Sequence, residues 1–157
     1  MTRKEFAIRS VAIGLAALSP LICVAVEGPM ISYSAYWDTP LQPLFILTNA
    51  ITSYYLFDAE RWKAPAFLLL MLTAFSTSQF STVHDILAVA FFIACLESLW
   101  NTNHFRWVLI PYAISFPILS ANMLIAEMLA ISTITLYHGL MLHKRYQLSK
   151  LKQINNE

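Results

Sequence analysis

Long apolar runs alternate with short polar breaks along this chain, and the breaks set the elements. Apolar sequence covers residues 10–26, 41–57, 64–100 and 107–142. As one helix, 64–100 would extend about 55 Å at about 1.5 Å per residue, far beyond a hydrocarbon core of about 30 Å. That run must turn back, and its one polar break lies between Ser76 and Asp85. The run 107–142 meets the same limit and breaks between Ser115 and Asn122. The pattern predicts an all-α fold, a polytopic transmembrane bundle of six helices. They fall at about 10–26, 41–57, 65–80, 82–100, 105–119 and 122–143, in a single domain 1–157 that ends in a polar tail, 144–157. Pro20 predicts a kink in the first helix, and Pro43 is acceptable in the first turn of the second.

Charge orients the bundle. All ten Lys and Arg fall in four patches: Arg3, Lys4 and Arg9; Arg61 and Lys63; Arg106; and Lys144, Arg145, Lys150 and Lys152. Residues 10–60, 64–105 and 107–143 carry none. Basic residues stay on the cytoplasmic side of membrane proteins, so three hairpins follow, with both termini cytoplasmic. The first apolar run follows basic residues as a secretory signal would, but no small-x-small cleavage pattern closes it. It reads as a retained helix and its own insertion signal. Trp62, Trp100 and Trp107 then fall at the inner boundary and Tyr33, Tyr36 and Trp37 at the outer one, the expected aromatic belts.

Composition agrees with that class. The chain is 58% hydrophobic and 12% charged, where soluble domains carry about 25% charged residues. The basic residues serve as anchors, so the net charge of +1 calls for no nucleic-acid partner. Cys23 and Cys95 fall at different depths, too far apart for a disulfide. No GxSxG, Walker loop, GxGxxG or HExxH occurs, and three glycines leave little material for a phosphate-cradling loop.

With the bases inside, the acids gather outside. Glu27, Asp38, Asp85 and Glu127 fall at or near the outer face beside His84. As metal ligands, Glu27, His84, Asp85 and Glu127 would suit a divalent cation, the one cofactor chemistry these residues invite. His84, Asp85 and Glu127 are the matching catalytic candidates, since a metal-bound water there would attack an ester or amide. Plainer readings stand beside these. Thr82 with Asp85 has capping-box spacing for the fourth helix. Asp38 reads as a solvated loop charge, Glu27 as a wet helix end and Asn122 as the cap of the sixth helix. Glu127 lies within an apolar helix, where a carboxylate faces a partner or a cavity; the partner would be His84, or the acid stays protonated. Glu97 and His138 occur at similar depths and predict a structural ion pair. Thr48, Asn49, Thr52 and Ser53, with Thr73, Ser76 and Thr77, form polar stripes of interhelical glue or a transport lining.

The segment Pro29-Met30-Ile31-Ser32, followed by Pro40 and by Pro43-Leu44-Phe45, resembles a signature of the DRAM (damage-regulated autophagy modulator) family. That family includes GPI-anchor remodelling and lipid-regulating members. His84, Ala88 and Phe91 are similar to the family's opening of its fourth helix, and uncharacterised bacterial six-helix proteins share such patterns. Tyr33 departs from the resemblance, which has an acidic residue after the Ser. The resemblance implies six helices, cytoplasmic termini and a lipid-associated role. The sequence as a whole reads as a small integral membrane protein, lipid-associated or regulatory and without chemistry of its own, with membrane lipids as partners. Its rivals are a metal-dependent lipid hydrolase or acyl-transfer enzyme with an outward-facing His/Asp/Glu site, a small transporter, and a subunit of a homo-oligomer or larger membrane complex.

Overall fold

The computed structural model describes residues 1–154, with side chains through Lys152. It holds six helices and, among the described residues, no strand: α1 Arg3–Glu27, α2 Gln42–Phe57, α3 Lys63–Ala74, α4 Ser81–Trp100, α5 Leu109–Leu119 and α6 Met123–Ile154. Short 3₁₀ turns at Ser34–Asp38, Glu60–Trp62 and Arg106–Val108 punctuate the connections. Three segments are long and apolar enough to cross a membrane: Arg3–Glu27, Ser81–Trp100 and Met123–Lys152.

Each helix packs on its neighbours in the chain, and α1 packs on α6, so the six close into a ring in sequence order. The seam between α4 and α5 is the lightest. Polarity is inverted relative to a water-soluble bundle. Val11 on α1, Ile86 on α4 and Ile110 on α5 are 62%, 64% and 65% exposed. Ser19, Thr48, Asn49, Ser53, His84, Glu127, Thr133 and Thr135 are buried. Lipid tails are as apolar as Leu, so hydrogen bonds and close contact join such helices, each bond worth about 0.6 kcal/mol. Ser53 Oγ donates to Ala66 O at 2.5 Å, tying α2 to α3. Tyr112 OH donates to Phe92 O at 2.9 Å, tying α5 to α4.

Several boundaries differ from the sequence reading, each for a local reason. α1 begins at Arg3 rather than Ser10, because Thr2 and Glu5 form a capping box. α3 stops at Ala74 rather than Phe80, because Phe75 turns extended (φ −116°, ψ 115°). The predicted capping box of α4 is absent: Phe80 holds the cap position, no side chain caps the helix, and Asp85 is exposed. α6 carries on through the basic tail to Ile154 instead of ending at His143; residues 155–157 of that tail lie outside the described residues. There α6 meets the start of α1, with Phe6 stacked on Tyr146 at 4.3 Å and Ser149 Oγ donating to Met1 O at 3.3 Å. The start of α1 and the end of α6 therefore share one end of the ring. Asn122 does cap α6, its Oδ1 accepting from Ile125 N at 3.0 Å.

The aromatic assignments also change. Trp62 is 3% exposed and packs against the rings of Tyr137 and His138, so it is a core residue rather than an interface anchor. Tyr33 and Tyr36 are likewise buried, while Trp100 and Trp107 remain exposed.

Candidate functional site

Two cavities lie along the ring and share wall residues Ala16, Thr52, Leu56, Ile134 and Thr135. One is a chamber of about 80 Å³ beneath the connection between α1 and α2. The other is a vestibule of about 400 Å³ at the basic end.

Residues 28–41 fold inward as a plug over the chamber. Gly28 closes α1 with φ +81°, a left-handed angle that favours glycine. One bond within the plug and three to the surrounding helices hold it in place. Tyr36 OH donates to Gly28 O at 2.5 Å, and Tyr33 OH meets Ser19 Oγ at 2.9 Å. Trp37 Nε1 donates to Thr73 O at 3.0 Å, and Tyr33 N donates to Glu127 Oε2 at 2.5 Å. Asp38 is no free loop charge. Its Oδ2 accepts from Thr77 Oγ1 and Ser78 N, and its Oδ1 accepts from Ser78 Oγ. These bonds hold its carboxyl below the usual carboxylate range, Thr77 contributing most.

Glu127 and His84 both line the chamber and are 5% and 2% exposed. His84 Nδ1 lies 2.8 Å from Phe75 O, and its Nε2 is sealed from solvent without a partner. Glu27 and Asp85, the other proposed metal ligands, are exposed and line neither cavity. Among the described residues, no group of three or more His, Cys, Asp or Glu is arranged to hold a metal ion. Of the four proposed ligands, only His84 and Glu127 share a cavity wall. The polar stripes divide as well. Asn49 and Thr52 face the chamber, whereas Ser53 is spent on Ala66 O and Thr73 on Leu70 O.

Arg9, Asp58, Glu60, Arg61, His104, His138 and Arg145 line the vestibule, with Tyr55, Trp62 and Tyr137 among its walls. Arg9 pairs with Asp58 at 2.5 Å and lies over the Tyr55 ring. Arg61 donates to Asn101 O, and neither Arg61 nor Arg145 has a carboxylate within 4.0 Å among the described residues. The predicted ion pair of Glu97 and His138 does not form. Glu97 is exposed on the outside of α4, and the Nε2 of His138 is sealed and unpartnered beside Trp62. The sequence reading took the arginines only as topology anchors. Their places beside the apolar runs, Arg9 before the first, Arg61 after the second and Arg145 after the last, were the available sign that they meet around one opening.

Comparison with family models, curated proteins and solved structures gives no match to any of them.

Proposed function

We propose that this chain is a six-span integral membrane protein, with both termini cytoplasmic, that binds an anionic lipid without transforming it. The vestibule is the observation that carries this reading. It has apolar walls, a basic mouth, and two arginines, Arg61 and Arg145, that no carboxylate neutralises. A headgroup phosphate would sit at those guanidiniums, which bind phosphate oxygens in bidentate fashion. An acyl chain would follow Ala16, Leu56 and Ile134 toward the chamber.

Supporting the topology, the apolar outer surface runs round the whole ring, and the two terminal segments meet at the end where the bases gather. That meeting fits an even number of crossings, and in this reading the shorter apolar helices α2, α3 and α5, the last two preceded by 3₁₀ turns, supply the remaining crossings. The resemblance of residues 29–45 to the DRAM signature points to lipid in the same way.

Native mass spectrometry on delipidated protein tests the reading. Phosphatidylglycerol should be retained about ten-fold more strongly than phosphatidylcholine. Arg61→Gln with Arg145→Gln should remove most of that difference, since each guanidinium near the membrane surface contributes about 1 kcal/mol. Equal retention of both lipids, or an unchanged double variant, overturns it.

A further inference from the structure

The chamber under the plug has an unbalanced set of hydrogen-bonding groups. A carbonyl only accepts, so the 2.8 Å contact to Phe75 O places the proton of His84 on Nδ1. In the neutral ring the sealed, unpartnered Nε2 is then a bare lone pair. Glu127 accepts from Tyr33 N through Oε2; no protein group donates to its Oε1 among the described residues, and no Lys, Arg or His nitrogen lies within 4.0 Å of the carboxylate. The hydroxyl protons of Thr52 and Thr135 are spent on carbonyls of their own helices, leaving oxygen lone pairs for the chamber. Asn49, also in the wall, adds an amide with an acceptor oxygen and a donor NH₂. Among the described residues, Tyr33, His84 and Glu127 are the only titratable groups that line this space.

We infer that this chamber is a binding site for a small ammonium-type cation, NH₄⁺ or the head of a primary amine, held between Glu127 Oε1 and His84 Nε2. Such an ion supplies the positive charge the walls lack, with N–H donors for Glu127 Oε1 and His84 Nε2. A buried carboxylate without a counter-charge is costly, and more so within a membrane. The space of about 80 Å³ matches a few water-sized occupants at about 30 Å³ each. A divalent metal fits poorly, because the pair offers one carboxylate where such ions take several oxygens. The site adjoins the lipid vestibule and shares Thr52 and Thr135 with it, but His84 and Glu127 line the chamber alone. Its occupant would touch the same carboxylate that holds Tyr33, so binding would tighten the plug.

Thermal unfolding of the full chain in nanodiscs, at constant ionic strength, tests the inference. Saturating ammonium chloride should raise the midpoint by about 5 °C over tetramethylammonium chloride, which has no N–H. Methylammonium should match ammonium if primary amines fit, and should do nothing if only free ammonium does. Glu127→Gln and His84→Gln should each abolish the ammonium response. Because either variant may unfold, the wild type decides by itself: equal midpoints in ammonium and tetramethylammonium overturn the site. Sodium as effective as ammonium overturns the hydrogen-bonding class of ligand, and a Glu127→Gln variant that keeps the response overturns the residue assignment.

Discussion

The two ends of the ring solve opposite problems. At the plug end a single carboxylate is buried under a loop, and the bonds of Tyr33, Tyr36, Trp37 and Asp38 lock that loop down. At the basic end charges are numerous, most are exposed, and Arg9 and Lys63 have acidic partners while the space between the helices stays open. The difference shows where each end draws its stability. The plug end depends on directional bonds to a few buried atoms. The basic end depends on bulk, chiefly Trp62 wedged against Tyr137 and His138.

The largest expected effect follows from that bulk. Trp62→Ala empties a filled position at the base of the vestibule and should cost about 3–5 kcal/mol, read as a lower unfolding midpoint in detergent. Loss comparable to an exposed Trp107→Ala control would contradict its place in the core. At the plug end the sharper contrast is between two changes at one residue. Glu127→Ala strands the Tyr33 N–H in a buried site and should cost about 1–3 kcal/mol. Glu127→Gln keeps an amide oxygen to accept that bond, so its cost should stay below about 1 kcal/mol. If the two variants lose equally, the bond to Tyr33 is not what Glu127 provides.

Much of the fold was legible in the sequence because membrane thickness is a ruler: the forced turns at Ser76–Asp85 and Ser115–Asn122 sort the apolar runs into the six helices observed. Depth was legible, but rotation about each helix axis was not. In water, an apolar stripe marks the buried face; on α4 both faces are apolar. Its inner face carries His84, Phe91, Cys95 and Ser98, while Ile86, Val89, Ile93 and Trp100 face out. Glu97 lies on that outer face, four residues from Ile93 and three from Trp100, which is why the pair with His138 at the same depth fails. On α6 the cost of a carboxylate within an apolar helix pointed Glu127 toward a partner or a cavity, and it lines the chamber. The capping box of Thr2 and Glu5 is legible too, a local helix start that lies ahead of the apolar run. The capture of Thr77 and Ser78 by Asp38 joins residues about forty positions apart, and no local pattern encodes it.

That capture gives a milder test of the plug end, with a definite sign. The folded pKa of Asp38 is depressed by Thr77 and Ser78. Its stabilising contribution is therefore present above the unfolded value of about 3.9 and lost as pH falls through the lower folded value. Fluorescence of the neighbouring Trp37, isolated in a background with the other three tryptophans changed to Phe, should hold steady from pH 7 to about 4 and change only below. Asp38→Asn should remove that transition. A transition near pH 6 in the parent would assign control to another group.

The smallest effect belongs to the basic end, and it separates the two halves most cleanly. Arg9 and Asp58 form a short ion pair, yet their side chains are 31% and 47% exposed, and partly exposed pairs contribute about 0–1 kcal/mol. Arg9→Gln should therefore shift the unfolding midpoint by no more than a degree or two, and less at high salt. It should also leave the Glu127-dependent plug intact, which protection of residues 28–41 from hydrogen exchange would report. A basic end held by bulk and screened charge tolerates such a change. If Arg9→Gln instead releases the plug, the ends are coupled through the shared wall of Ala16, Thr52 and Ile134, and the ring works as one switch rather than as two independent sites.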